Sequence, residues 1–232
     1  MKLDTLDKIQ DARAKKQPVA LLTFLESGLQ EIVPGSPDNN PGDIDSALWN
    51  TAQTVLRSDK STTVKSESGR VFVQAFNPPL RFLIVGAVHI TQVLAPMAAL
   101  AGYNVTVIDP RGAFATSDRF PGIEINTNWP DKAIRELAPD TRTALITLSH
   151  DPKLDDPALE VALHSEVFYI ACLGSRKTHT ARLIRLAELG FSETELQRIK
   201  GPAGLDIGAK SPAEIAVSIL AEATRKLRTG SL

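Results

Sequence analysis

The chain has 232 residues, 43% hydrophobic and 23% charged, with a net charge of −1, so a packed core is within reach and no global field draws it to nucleic acid or anionic lipid. No run approaches the roughly 18 apolar residues of a membrane span, and the opening MKLDTLDKIQDARAKKQ is too charged for a signal-peptide apolar region. The single cysteine, Cys172, excludes an internal disulfide framework and a cysteine-rich zinc site, and the expectation is a cytoplasmic protein with no nucleic-acid or membrane partner.

In chain order, Leu3, Leu6, Ile9 and Arg13 recur at helical spacing and predict a helix over 3–16. PVALLTFLES (18–27) reads as a strand. VPGSPDNNPGD (33–43) is rich in breakers and reads as a loop, followed by a helix over 44–57 capped by Asp43. STTVKSESGRVFVQAF (61–76) reads as a hairpin turning at SESG, and Pro78-Pro79 closes a small N-terminal α+β region over 1–79. From residue 80 to 232 the pattern changes. Strands at 81–86, 103–109, 122–126, 143–149 and 167–173 alternate with helices at 89–101, 130–138, 154–165, 176–189, 192–199 and 211–228. Ser211 caps the last helix and Pro212 opens it. Near-continuous apolar strands separated by helices predict an α/β, Rossmann-like doubly wound parallel sheet covered on both faces.

A 3-2-1-4-5 strand order would put the switch point between 81–86 and 143–149, with ligands beyond the carboxyl ends of those strands. Gly86-Ala87-Val88-His89 ends the first strand and Ser149-His150-Asp151 ends the second, so two of the four histidines fall at that crevice. Asp109 ends the next strand 23 positions after Gly86, close to the offset of about 20 for a ribose-binding acid, and Arg111 sets a cation beside it. Each residue has a structural reading as well: Gly86 as a tight turn, Asp109 as a turn cap, His89 and the His150-Asp151 pair as helix N-terminal groups. Gly174-Ser175-Arg176 follows a strand and opens a helix, which suits an anion. GPAGLDIGAKSPAE (201–214) arranges glycines and prolines around Asp206 like a pocket wall. The dinucleotide fingerprint G-x-G-x-x-G/A is incomplete. Val88 stands at its middle glycine, and a branched side chain there opposes close approach of a pyrophosphate, which disfavours NAD(P).

Four stretches then carry a resemblance: LIVGAVHITQVLAPMAALAGYNVTVIDPR, LSHDPKLDDPAL, YIACLGSRKTHTARLIRL and GPAGLDIGAKSPAEIAVSILAE. In order and spacing, over about residues 80–225, the chain resembles the XdhC/CoxI family, accessory proteins of xanthine dehydrogenase and related molybdenum hydroxylases. The resemblance implies a Rossmann-like domain that binds molybdenum cofactor (molybdopterin) as cargo. It also implies protection of that cargo while its terminal ligand becomes sulfido, and help in delivering it to the apo-hydroxylase. It brings a hydroxylase of the xanthine dehydrogenase type as partner, a sulfur donor as a further one, and a homodimer as a common assembly. The family turn usually reads G-A-G-H, against Gly86-Ala87-Val88-His89 here. Residues 1–79 lack the family's G-S-x-P-R-like and S-G-G-C-V-E-like segments, so that region is reduced or divergent.

The groups that the reading assigns to the cargo site are Gly86, His89, Asp109, Arg111, His150, Asp151, Gly174, Ser175, Arg176 and Asp206, with no catalytic constellation and no metal-ligand set. The expectation is a cofactor-binding chaperone rather than a catalyst. Two alternatives stand beside it: an NAD(P)-dependent oxidoreductase, and a degenerate member that binds no cofactor and only contacts the maturation machinery.

Overall fold

The run Val19–Phe24, apolar except for Thr23, forms strand β1, and in the computed structural model both of its faces are covered, which is why it shows no alternation. Val19 and Leu21 pack with Ile9 and Ala12 of helix α1 (Leu3–Ala14), while Ala20, Leu22 and Phe24 share a cluster with Leu48, Trp49, Ala52, Val55 and Leu56 of helix α2 (Ser46–Ser58). Residues 2–35 and 44–230 are described, and the chain divides into two units between Pro78 and Pro79. In the first unit β1 belongs to an antiparallel sheet of order β2-β1-β4-β3, with β2 at Gln30–Pro34, β3 at Thr62–Ser66 and β4 at Gly69–Phe76.

Two sequence expectations change here. Strand β2 replaces the first residues of the expected loop. Only Val33 of its five residues is buried, so an edge strand of this kind carries no readable period. The cap of α2 is Asp45, whose Oδ1 accepts from Ala47 N and Leu48 N at 2.9 and 3.0 Å. Asp43, expected in that role, lies with residues 36–43 outside the described residues.

The second unit is a doubly wound parallel sheet. Its elements are β5 (Arg81–Val85), α3 (His89–Leu100), β6 (Asn104–Ile108), β7 (Glu124–Asn126), α4 (Pro130–Leu137), β8 (Thr143–Thr147), α5 (Pro152–Leu163), β9 (Tyr169–Cys172), α6 (Arg176–Glu188), α7 (Glu193–Leu196), β10 (Ile199–Lys200) and α8 (Pro212–Thr229). The order β10-β9-β8-β5-β6-β7 has every pairing parallel and reverses between β5 and β8. One face carries Phe82, Ile84, Val107 and Ile146 under Leu94 and Ala98 of α3 and Ile219 of α8. The other carries Leu83, Val85, Leu145 and Ile170 under Ile134 of α4 and Leu159 of α5. Each large aliphatic side chain buried this way contributes about 1.5–3 kcal/mol.

Arginines end two of the covering helices. Arg81 donates to Leu137 O and Ala138 O at 2.7 and 2.9 Å past α4, and Arg198 donates to Leu163 O and Ser165 O, both at 2.7 Å, past α5. The expected helix over 192–199 is instead the single turn α7 followed by β10. Ser192 and Glu195 close a capping box on α7, and Ile199 then turns into the core beside Ile170. Among the described residues no helix is long and apolar enough to cross a membrane.

Candidate functional site at the switch point

The reversal between β5 and β8 brings their two exit turns into backbone contact. Gly86 has φ +108°, and a Cβ built on it would stand 2.7 Å from Ser149 N and 2.9 Å from Ser149 Cα. Backbone crowding therefore demands glycine there. Its carbonyl accepts from the Thr91 hydroxyl, and Ala87 N donates to Asp109 Oδ2 at 2.8 Å. Val88 is the N-cap of α3 with φ −98°, a conformation open to any residue, so valine strains nothing. Its side chain packs in part against the core rather than standing free in the turn. Valine has no side-chain acceptor, so it caps none of the first-turn amides of α3. His89 opens that helix and is exposed.

Asp109 is fully buried. Its Oδ1 accepts from Arg111 N and Nε at 3.0 and 2.9 Å, and its Oδ2 accepts from Arg111 Nη2 at 2.7 Å as well as from Ala87 N. Burial pushes the carboxyl up, but the Arg111 and backbone hydrogen bonds outweigh it and hold the pKa below the ordinary carboxylate value. Both oxygens thus meet this chain's own groups instead of facing the crevice. Arg111 is more basic than an ordinary guanidinium because Asp109 holds its protons, and the charges of Asp151 and Asp155 add to this. That electrostatic link joins the β6 exit to the β8 exit.

At the β8 exit His150 is exposed and has φ +60°, a left-handed conformation that costs a non-glycine residue about 1–2 kcal/mol. Asp151 caps α5 by accepting from Lys153 N at 3.0 Å. Ser149 Oγ donates to Asp155 Oδ1 at 2.6 Å. At the β9 exit Gly174 leads into Ser175, which caps α6 by accepting from Thr178 N at 3.1 Å, and Arg176 is exposed in the first turn.

A buried ion pair lies behind these two turns. Asp155 and Arg182 are almost wholly buried, with Asp155 Oδ2 3.7 Å from Arg182 Nη2, which donates to Leu173 O at 3.1 Å. Asp155 thereby anchors the turn at 149–151, and Arg182 anchors the strand end that leads to Gly174. Among the described residues, Asp155 Oδ2, Arg182 Nε and Nη1, and Thr147 Oγ1 find no hydrogen-bond partner. Burial raises the Asp155 pKa, and its bonds to Ser149 and the Arg182 charge only partly offset that. Cys172 is fully buried and burial pushes its thiol up to about 12, which leaves it an inert core residue rather than a nucleophile.

Asp206 is exposed in the stretch after β10. That stretch is held from α8 and β9: Glu222 of α8 accepts from Gly204 N at 2.9 Å and from the Tyr169 hydroxyl, and Ala203 N donates to Cys172 O of β9 at 2.9 Å. Of the residues singled out in the sequence, Asp109 and Arg111 are joined directly, Gly86 meets Asp109 through its neighbour Ala87, and Asp151 is joined to Arg111 through its charge. Gly174 to Arg176 connect to the β8 exit through Leu173, whose N donates to Thr147 O at 2.8 Å, and through Arg182 and Asp155. Glu222, Arg182 and Tyr169 were not singled out. The one available signal was a charged residue inside an otherwise apolar helical stripe, as in SILAEA and ARLIRL.

Residues 82–223 match the family model described as the XdhC Rossmann domain. The chain is 34% identical over 151 residues to the molybdenum cofactor insertion chaperone PaoD of Escherichia coli K12, covering 65% of this chain and 41% of that protein. It is 31% identical over 157 residues to a probable xanthine dehydrogenase subunit of Bacillus subtilis 168, covering 67% and 46%. The chain therefore spans less than half the length of either relative. The crystal structure of a xanthine dehydrogenase from Bacillus halodurans has a TM-score of 0.70 at 20% identity, over 97% of this chain and 67% of that one. The likeness in fold thus extends into the N-terminal unit, where the family's sequence segments are missing.

Proposed function

The chain belongs to the XdhC family through its Rossmann domain, and from that premise we propose that it holds molybdenum cofactor as cargo at the switch-point crevice and helps install it in a molybdenum hydroxylase of the xanthine dehydrogenase type. A sulfur donor and self-association belong to the same proposal. The cargo reading is supported by the relative named as an insertion chaperone, and the partner by the relative named for xanthine dehydrogenase.

The observation that carries the choice between carrier and nicotinamide enzyme is the state of Asp109. A dinucleotide-binding enzyme presents the acid at this position to the ribose hydroxyls. Here both carboxylate oxygens are taken by Arg111 and Ala87 N. The crevice keeps its donors: the uncapped first turn of α3, the exposed His89 and His150, and the Ser175-Arg176 turn. Such donors suit the phosphate and polar edges of a molybdopterin. Gly86, Asp109 and Asp151 shape and hold the turns rather than touch the cargo.

The test is retention of freshly released molybdenum cofactor by the full chain after gel filtration, scored by molybdenum and pterin content, with NADH and NADPH as competitors. Retention that nicotinamides do not displace, followed by activation of an apo-hydroxylase, is expected. Absence of retention overturns the proposal. His150→Gly is the informative variant, because glycine relieves the left-handed strain at φ +60°. Thermal stability is expected to hold or rise by up to ~1 kcal/mol while retention weakens. Unchanged retention would remove His150 from the site.

A further inference from the structure

The segment between β6 and β7 carries an alternation of guanidinium and ring that the carrier role leaves unexplained. Arg111 Cζ lies 4.9 Å from the Phe114 ring centroid, Arg119 Cζ lies 5.8 Å from the same ring, and Arg119 Cζ lies 5.6 Å from the Phe120 ring. Each member is held in place, from outside the segment or by its neighbours in it. Asp109 grips Arg111 through Nε and Nη2, Phe114 N donates to Arg111 O at 2.9 Å, Arg119 Nη1 donates to Phe114 O at 2.6 Å, and Phe120 is in the core. Phe114 nevertheless remains 48% exposed. A phenyl ring left in water while its backbone and its neighbours are immobilised is a pre-organised stacking surface, since the ordering cost that binding would impose has already been met by the fold.

Charge helps to identify the occupant. Arg111 is neutralised by buried Asp109, and the exposed Asp118 adjoins Arg119 in sequence. The ladder therefore has little net charge with which to capture a free phosphate. What it offers is the exposed part of the Phe114 ring together with the two guanidinium planes that lie over it and their N–H groups. These suit a flat heteroaromatic ring that stacks and accepts hydrogen bonds.

We propose that Phe114, with Arg111 and Arg119, forms a stacking subsite beside the crevice for a flat heteroaromatic ring. The subsite rests on the carrier reading for its biological cargo: a molybdopterin brings such a ring as its pterin, and a nucleotide brings one as its base. The chemistry of the subsite is common to both sources.

The experiment titrates the full chain with hydroxymethylpterin, CMP, GMP and inorganic pyrophosphate, and repeats each titration with Phe114→Ala, Phe114→Leu and Phe114→Trp. At least one aromatic probe is expected to bind the parent. Alanine and leucine are expected to weaken it about tenfold, as loss of one stacked ring does elsewhere. Tryptophan is expected to keep or tighten it, and pyrophosphate is expected to respond to none of the three. Leucine keeps the apolar bulk without a π face, so it separates stacking from mere tethering of the segment even if alanine loosens the fold. Binding of the pterin alone names the pterin as source, and binding of a nucleotide alone names the base. The proposal is overturned if no aromatic probe binds, or if all three variants bind as the parent does. The two readings fail separately: ring binding through Phe114 without retention of molybdenum cofactor sinks the carrier, whereas retention indifferent to Phe114→Ala sinks the subsite.

Discussion

Asp109 has the character of a keystone for two turns rather than of a ligand group, and that character is testable through pH. Its folded pKa lies below the ordinary value, so the unfolded chain takes up the proton first on acidification. The stability contributed by the Asp109–Arg111–Ala87 arrangement is thus fully present above about pH 4. It is lost as pH falls through the lowered folded value. Asp109→Asn is expected to cost roughly 1.5–3 kcal/mol at pH 7, the range for hydrogen bonds to a charged group. In urea unfolding the gap between parent and variant should narrow steadily below about pH 4. A gap that stays constant down to acid denaturation would show that the carboxylate charge is not what holds the turn. The position of Asp109 after an apolar strand was legible in the sequence. Its saturation was not, because nothing in VIDPR says that Arg111 folds back on a residue two positions earlier.

Long buried elements announce themselves, while short ones and polar ones inside apolar patterns do not. TALIT of β8 was readable because all five residues are buried, and α8 because a capping residue, a proline and an apolar stripe coincide. Strand β10 has two residues, too few for any period, and became visible only through its pairing with β9. In the sequence Asp155 is one of several acids at a helix start, and Arg182, one of several cations along α6, was not singled out. Their meeting across α5 and α6 depends on how the two helices lie on the sheet, which no local pattern encodes. This pair fixes the turns on either side of the β8 and β9 exits, and its removal should show the asymmetry of buried charge. Asp155→Leu or Arg182→Met alone is expected to cost about 3–5 kcal/mol, because each leaves the other charge without its partner. The double variant is expected to recover most of that loss, since two apolar side chains replace two desolvated ions. Additive losses in the double variant would mean that the two groups stabilise the fold independently.

At the scale of the molecule, the four hydrophobic clusters formed by the described residues divide at the Pro78–Pro79 boundary. The two that sandwich the parallel sheet draw only on residues from Leu80 onward, and the two of the antiparallel sheet only on residues up to Phe76. Every group assigned to the candidate site, and the Phe114 ladder beside it, lies in the unit from Pro79 onward. A unit with its own core and its own closed set of sheet pairings has what independent folding requires. Residues 79–232 expressed alone are therefore expected to unfold in a single cooperative transition and to retain molybdenum cofactor as the full chain does. Larger domains bury a greater share of their chain than small ones, so this unit rather than the first is the one expected to survive separation. A fragment that fails to unfold cooperatively would show that the second core depends on the first 78 residues. A fragment that folds but loses the cofactor would assign part of the binding to the N-terminal unit, where no residue pattern pointed to it.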